Sequence, residues 1–190
     1  MISRRDMIQG TALGVAGGFT LLGSGLAQAS DAADDPEYAG LRAEADTALR
    51  RLVDSQPEAS QVIEAAKGLL IFPSIVKGGL VIGAAGGKGV FRSGGQVQGY
   101  YRSTAVSYGL QAGVTTFGYI MAFMDQGSID YLNSSSGWEV GVGPVVTVAD
   151  EGFARKMTTT TLQEGIVVFF IDQKGFFAGA GLEGTKITKL

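Results

Sequence analysis

With 190 residues, 45% of them hydrophobic and 17% charged, the chain can bury one substantial core, and so apolar a composition excludes a globally disordered protein. Cysteine and histidine are both absent, which removes disulfides, thiolate and imidazole metal sites, thiol nucleophiles and every catalytic scheme built on a histidine base. The net charge of -3 hides an asymmetry: no acidic residue occurs between Glu64 and Asp125, yet that stretch holds Lys67, Lys77, Lys88, Arg92 and Arg102.

The chain opens with a basic start containing Arg4 and Arg5, an apolar run over residues 8–26 diluted by glycine, and Ala27-Gln28-Ala29. This is the pattern of a twin-arginine signal peptide over residues 1–29. An uncleaved membrane anchor is the alternative. Residues 30–36 are small and acidic and are expected to form an exposed leader, and residues 37–190 a single domain. The twin-arginine route carries folded proteins, so the expected location is periplasmic or exported, peripheral to a membrane.

Asp35-Pro36-Glu37 reads as a helix start, with Asp35 capping and Pro36 in the first helical position. Tyr38, Leu41, Ala45, Ala48, Leu49, Leu52 and Val53 then recur at helical spacing, so an amphipathic helix is predicted to end near Asp54. A second short helix follows, with Ser55 as its cap, Pro57 in its first turn, and Val62, Ile63 and Ala66 facing inward. These helices either cover one face of a sheet or lie on a membrane surface. Between residues 30 and 64, nine acids face three arginines, so attraction to an anionic surface has to come from elsewhere.

Beyond Gly68 the period falls to about two and the turns are glycine-based. Strands are predicted at 69–72, 79–84, 88–92 and 97–102, with Ser93-Gly94-Gly95-Gln96 as a hairpin turn, followed by a strand-like run over 105–124. Residues 126–135 are predicted as a short helix with Ile129 and Leu132 inward. Alternation resumes at 138–148, where Trp138, Val140, Val142, Val146 and Val148 share a face; a polar connection then leads to the apolar run 166–171, a turn at 172–175 and a returning, alternating strand over 176–183. The pattern is that of an α+β protein: a mainly antiparallel, strongly curved, glycine-rich β-sheet or partly closed barrel, with the amphipathic helices packed on it. Glycines collect on one side of several strands. Such a face permits tight packing and curvature, or the close approach of another chain or a ligand.

Motifs for catalysis fail on inspection. Gly83-Ala84-Ala85-Gly86-Gly87-Lys88-Gly89 lacks the first glycine and the hydroxyl residue of a phosphate-binding loop, since Ile82 and Gly89 stand in those positions. The pairs Asp34-Asp35 and Asp150-Glu151 read as solvated carboxylates, and the run of threonines at 158–161 as an edge strand. The basic set Lys67, Lys77, Lys88, Arg92 and Arg102 is the feature with most content: on one face it forms a patch able to hold lipid phosphates. Scattered surface cations are the alternative, and register decides between them. An acidic, exported chain is a poor nucleic-acid binder.

Four ordered blocks carry a family resemblance: AKGLLIFPSIVKGGLVIGAAGGKGVFR (residues 66–92), SYGLQAG (107–113), VGVGPVVTVAD (140–150) and GFFAGAGLEGTKI (175–187). Together they resemble the SYLF domain, a lipid-binding module of bacteria and eukaryotes, and the likeness extends over nearly all the chain from Leu41 onward. The resemblance implies a non-enzymatic domain with a β body and N-terminal helices. Eukaryotic relatives bind phosphoinositides and some fungal ones bind and bundle actin. Lys67, Lys77, Lys88 and Arg92 fall in the first block; Arg102 extends the set. Two stretches depart from the family pattern: residues 112–123 lack the acid often found there, and FFIDQKG (169–175) replaces a segment rich in Tyr, Ser and Arg, with loss of positive charge. The expected function is non-enzymatic binding of anionic lipid headgroups through the basic patch, with no cofactor or metal and without nucleic acid or actin as partners. The alternative is an envelope protein that docks a protein partner through its glycine-faced sheet.

Overall fold

The structure is a computed structural model that describes residues 36–79, 82–108, 113–149, 165–171, 182 and 184–190. Among these residues three helices, α1 (Pro36–Ser55), α2 (Ala59–Ala65) and α3 (Gln126–Ser134), accompany eight strands: β1 (Gly68–Gly79), β2 (Ile82–Ser93), β3 (Gln96–Tyr108), β4 (Gly113–Phe123), β5 (Trp138–Glu139), β6 (Val146–Val148), β7 (Ile166–Ile171) and β8 (Lys186–Lys189). They form one sheet in the order β5-β8-β3-β2-β1-β4-β7-β6, antiparallel except for the parallel pair β6–β7. The sheet curls into a half-barrel, so the expected α+β class with its curved, mostly antiparallel sheet is what the chain adopts.

Curling gives the sheet two unlike faces, each with its own core. On the inner face Leu70, Phe72, Phe91, Tyr101, Tyr119, Met121 and Phe123 pack together with Ile129 and Leu132 of α3 and with Trp138. On the outer face Ile71, Val90, Tyr100, Ile120 and Phe169 meet Leu41, Ala45, Ala48 and Leu52 of α1, together with Ala59 and Val62 of α2. The helices therefore cover the sheet. Odd and even positions of β4 and β7 separate cleanly between the two cores, as the two-residue period of a strand requires, whereas in β1 the bulge between Phe72 and Ile75 exchanges the faces, so that Ile71 is outward and Ile75 inward.

Several boundaries differ from expectation, each for an identifiable reason. The strand predicted at 69–72 is part of one continuous β1 that runs through Pro73, whose missing N–H is tolerated because the ladder is interrupted there on both sides, and the stretch predicted at 79–84 is divided between the end of β1 at Gly79 and the start of β2 at Ile82. Ser55 does not cap α2; its hydroxyl donates back to the carbonyls of Arg51 and Leu52, ending α1, and Glu58 precedes α2 without a side-chain cap. The run over 105–124 is two strands, β3 and β4. The stretch 138–148 is two short strands: Val140 is buried, but Gly141 (φ 106) and Gly143 (φ 94) turn the chain, leaving Val142 exposed. Strand β8 was not anticipated. The hairpin at 93–96 is borne out, with Gly94 (φ 59) and Gly95 (φ 76) both left-handed, as a two-residue turn matched to strand twist requires. The helix expected over 126–135 is also borne out, with Ile129 and Leu132 buried. The Asp35 cap, the carboxylate pairs, the threonine run and the strand over 176–183 lie outside the described residues, save Leu182, which is buried.

The glycines of the inner face are there for packing. A Cβ on Gly89 would stand 2.6 Å from the Phe72 ring, and one on Gly87 would fall on the Ser74 carbonyl oxygen, where β1 bulges toward its neighbour. On the other side of the same bulge a Cβ on Gly118 would lie 2.8 Å from the Pro73 carbonyl oxygen. The bulge is thus seated between two side-chain-free positions.

Candidate functional site

Strand register decides how the five cations are arranged. Lys88 and Arg102 are Cα partners on β2 and β3. Both lie on the outer face, in phase with Val90 and Tyr100, so their Cβ atoms stand about 4.5–5.5 Å apart. Lys77 projects from the inner face, in phase with Ile75. Lys67 precedes β1 at the turn end of the sheet, ten residues from Lys77, or about 30 Å at strand rise. Arg92 shares the outer face with Lys88, but it pairs with Asp46 of α1 and donates to the carbonyl of Arg42 at 3.3 Å. The structure therefore brings Lys88 and Arg102 together, engages Arg92 beneath a helix, and sends Lys67 and Lys77 to other places.

Helix α1 crosses the sheet beside this pair, held by a local network that sequence reading missed. Tyr38 stacks on Tyr100 with ring centroids 4.0 Å apart, and Arg42 Nη1 donates to the Tyr100 hydroxyl at 2.8 Å. The Arg92 guanidinium, bonded to the Asp46 carboxyl, holds it below the ordinary carboxylate value. Between the flank of α1 and the β1 bulge run two depressions. One, of ≈ 320 Å³, is lined by Pro36, Gly40, Glu44, Ser74 and Lys88; the other, of ≈ 480 Å³, by Glu44, Thr47, Arg51, Ser74 and Thr116. Glu44, common to both, offsets part of the positive charge on the side facing the helix.

Past these depressions the four-stranded ribbon β3-β2-β1-β4 continues without helix cover among the described residues. Its outer face reads in rows across the strands. The row nearest the cations is Thr116, Val76, Gly86 and Thr104, and the next is Val114, Gly78, Ala84 and Val106. Val76, Ile82, Val106 and Val114 are 51%, 63%, 65% and 76% exposed. The inner face of the same ribbon carries Thr115, Lys77, Ala85 and Ala105. The alternation of Val76, Gly78 and Ile82 was visible in the sequence, but not that the helices stop short of it.

Among the described residues no three acidic side chains gather where a metal could be held, and no helix is long and apolar enough to cross a membrane. Tyr119 is buried, donates to Ser103 Oγ at 2.7 Å, and has its phenol pushed up by burial. It is a core residue without access to a substrate.

The described residues thus form a half-barrel covered by helices, with Lys88 and Arg102 paired across β2 and β3. Residues 104–189 match the model of the Ysc84 family, described as Las17-binding protein actin regulator, which is consistent with the SYLF resemblance of the sequence blocks. The matched region runs from β3 to β8; the block at 66–92 lies upstream of it. No curated protein matches the chain.

Proposed function

We propose that this protein binds anionic lipid headgroups, without catalysing a reaction, through the outer face of its β-ribbon, with Lys88 and Arg102 as the central contacts. The observation that carries the reading is their register pairing on a ribbon that has no carboxylate between Glu64 and Asp125. Like charges directly opposite one another on neighbouring strands disfavour folding. A phosphate over the pair reverses that sign. The proposal extends to the whole chain: residues 1–29 direct twin-arginine export, 30–36 form a leader, 37–190 are one domain, and the protein works at an envelope membrane surface.

Co-sedimentation with phosphatidylglycerol-containing and pure phosphatidylcholine vesicles tests this reading. Binding is expected only to the anionic vesicles and weakens with salt, because exposed charges are screened within about 8 Å at physiological ionic strength. Each cation near an anionic surface contributes about 1 kcal/mol, so the double variant Lys88→Gln/Arg102→Gln loses roughly thirtyfold in partitioning. Equal binding to both vesicle types, or none, overturns the proposal.

The family description supports a second reading, in which a protein partner occupies this surface. Gly87 and Gly89, on the glycine-rich inner face, are already filled by Ser74 and Phe72 of the chain itself, so a partner would meet the outer rows instead. Actin is no part of either reading, since both place the protein outside the cytoplasm. Pull-down of a defined envelope protein that survives lipid extraction, with no vesicle binding, favours this alternative.

A further inference from the structure

We infer that the exposed end of the ribbon, bearing Val76, Ile82, Val106 and Val114 on its outer face, inserts into the acyl boundary of the anionic bilayer that Lys88 and Arg102 contact. This rests on the lipid-binding reading and goes beyond it, because a headgroup site requires no exposed aliphatic surface. The order of chemistry along the strands matches the depth order of a bilayer interface. Aliphatic side chains stand at the end, threonines mixed with Val76 come next, and the cation pair lies nearest the body. The row containing Ala84 and Val106 is four residues beyond Lys88 and Arg102, about 13 Å at strand rise. With the cations at the phosphates, that reach suffices for the 5–10 Å burial typical of interfacial elements.

Polarity across the ribbon gives the orientation. The end row of the outer face, Val114, Gly78, Ala84 and Val106, is wholly apolar, whereas the adjacent inner row places Lys77 and Thr115 beside Ala85 and Ala105. Backbone pairing sets the limit. Strands β1 and β2 are hydrogen-bonded on both sides out to this end, but beyond Thr104 and before Gly118 the outer edges of β3 and β4 have no ladder partner among the described residues. Unpaired edge groups confine the ribbon to the hydrated interface, short of the hydrocarbon core. Charge complementarity selects an anionic bilayer as the occupant, since the ribbon is cationic and free of acid.

The chain contains no cysteine, so a single introduced thiol can be labelled alone. Val106→Cys, Val114→Cys and, at the other end of β3, Gln98→Cys carry a polarity-sensitive fluorophore, in full-length protein mixed with phosphatidylglycerol-containing vesicles. Blue-shifted emission and quenching by acyl-chain quenchers are expected at 106 and 114 but not at 98. Val106→Ser/Val114→Ser should weaken the salt-resistant part of binding by about tenfold or more, since burial of apolar area is not screened. If the vesicles bind while the labels at 106 and 114 stay aqueous, insertion is overturned and headgroup binding stands. If the unmodified protein binds no vesicles, the lipid reading fails and takes this inference with it. A blue shift that depends on protein concentration and occurs without lipid assigns the patch to a second copy of the chain and also overturns insertion.

Discussion

At the scale of single residues, two carboxylates do structural work that the sequence only hinted at. Asp125 accepts from the backbone N–H and the hydroxyl of Ser128, both at 2.7 Å, capping α3, and its second oxygen also accepts from the Gly165 N–H at 2.7 Å, tying α3 to the start of β7. Burial acts to raise its pKa, but the hydrogen bonds from Ser128, Gly165 and Gly127 outweigh it and hold the carboxyl below its ordinary value. Asp46 is held low by Arg92. A depressed folded-state pKa contributes stability that is present above the unfolded value near 3.8 and is lost as pH falls through the folded one. Urea melts should therefore show Asp125→Ala destabilised by about 1–2 kcal/mol at neutral pH, the usual cost of a lost cap. That difference should shrink toward zero well below pH 3.8, as the native carboxyl protonates. Gly87 is decisive in another way. Alanine there collides with the Ser74 carbonyl, and Gly87→Ala should lose about 1–3 kcal/mol by overpacking, read as a lower thermal midpoint.

At the scale of elements, α1 is the part whose placement creates the candidate site. Its apolar stripe of Leu41, Ala45, Ala48 and Leu52 seals the middle of the outer face, while the Tyr38–Tyr100 stack and the Arg92–Asp46 pair fix its N-terminal half over β2 and β3. The C-terminal end is anchored where Gln56 Nε2 donates to the Phe170 carbonyl at 3.1 Å. Leu52 is fully buried, so Leu52→Ala should lose about 2–5 kcal/mol, measured by denaturant unfolding. The exposed ribbon owes nothing to this contact. Substitutions at Val106 or Val114 should leave unfolding within about 0.5 kcal/mol of the parent, which separates binding defects from folding defects.

At the scale of the whole molecule, charge is distributed rather than merely summed. Glu44, Asp46, Asp54, Glu58 and Glu64 all belong to the helical layer, and the four long strands carry none. A protein with a net charge of -3 can in this way present a cationic ribbon to an anionic surface. Placing one acid in the ribbon tests the arrangement. Thr116→Glu, beside Val76, should weaken partitioning into anionic vesicles about fivefold, at roughly 1 kcal/mol per charge. Thr147→Glu, exposed on β6, should leave partitioning unchanged, both measured by co-sedimentation.

The sequence by itself determined the class of fold and the elements whose signals are local. Apolar spacing marked α1 and α3, paired glycines fixed the 93–96 hairpin, and the apolar run of β7 and the acid-free stretch could be read directly. Strand ends were not legible, because glycine-rich, β-prone sequence gives no local stop signal. Thus β1 passes through Pro73, and 138–148 breaks only because Gly141 and Gly143 take left-handed angles. The site was legible as a set of cations and not as a place. A one-residue step in a strand moves a side chain to the opposite face, so only the pairing of β1, β2 and β3 could put Lys88 beside Arg102, turn Lys77 inward and draw Arg92 under α1. Tertiary structure alone decided where the helices end over the sheet, and with that which valines became core and which were left facing water.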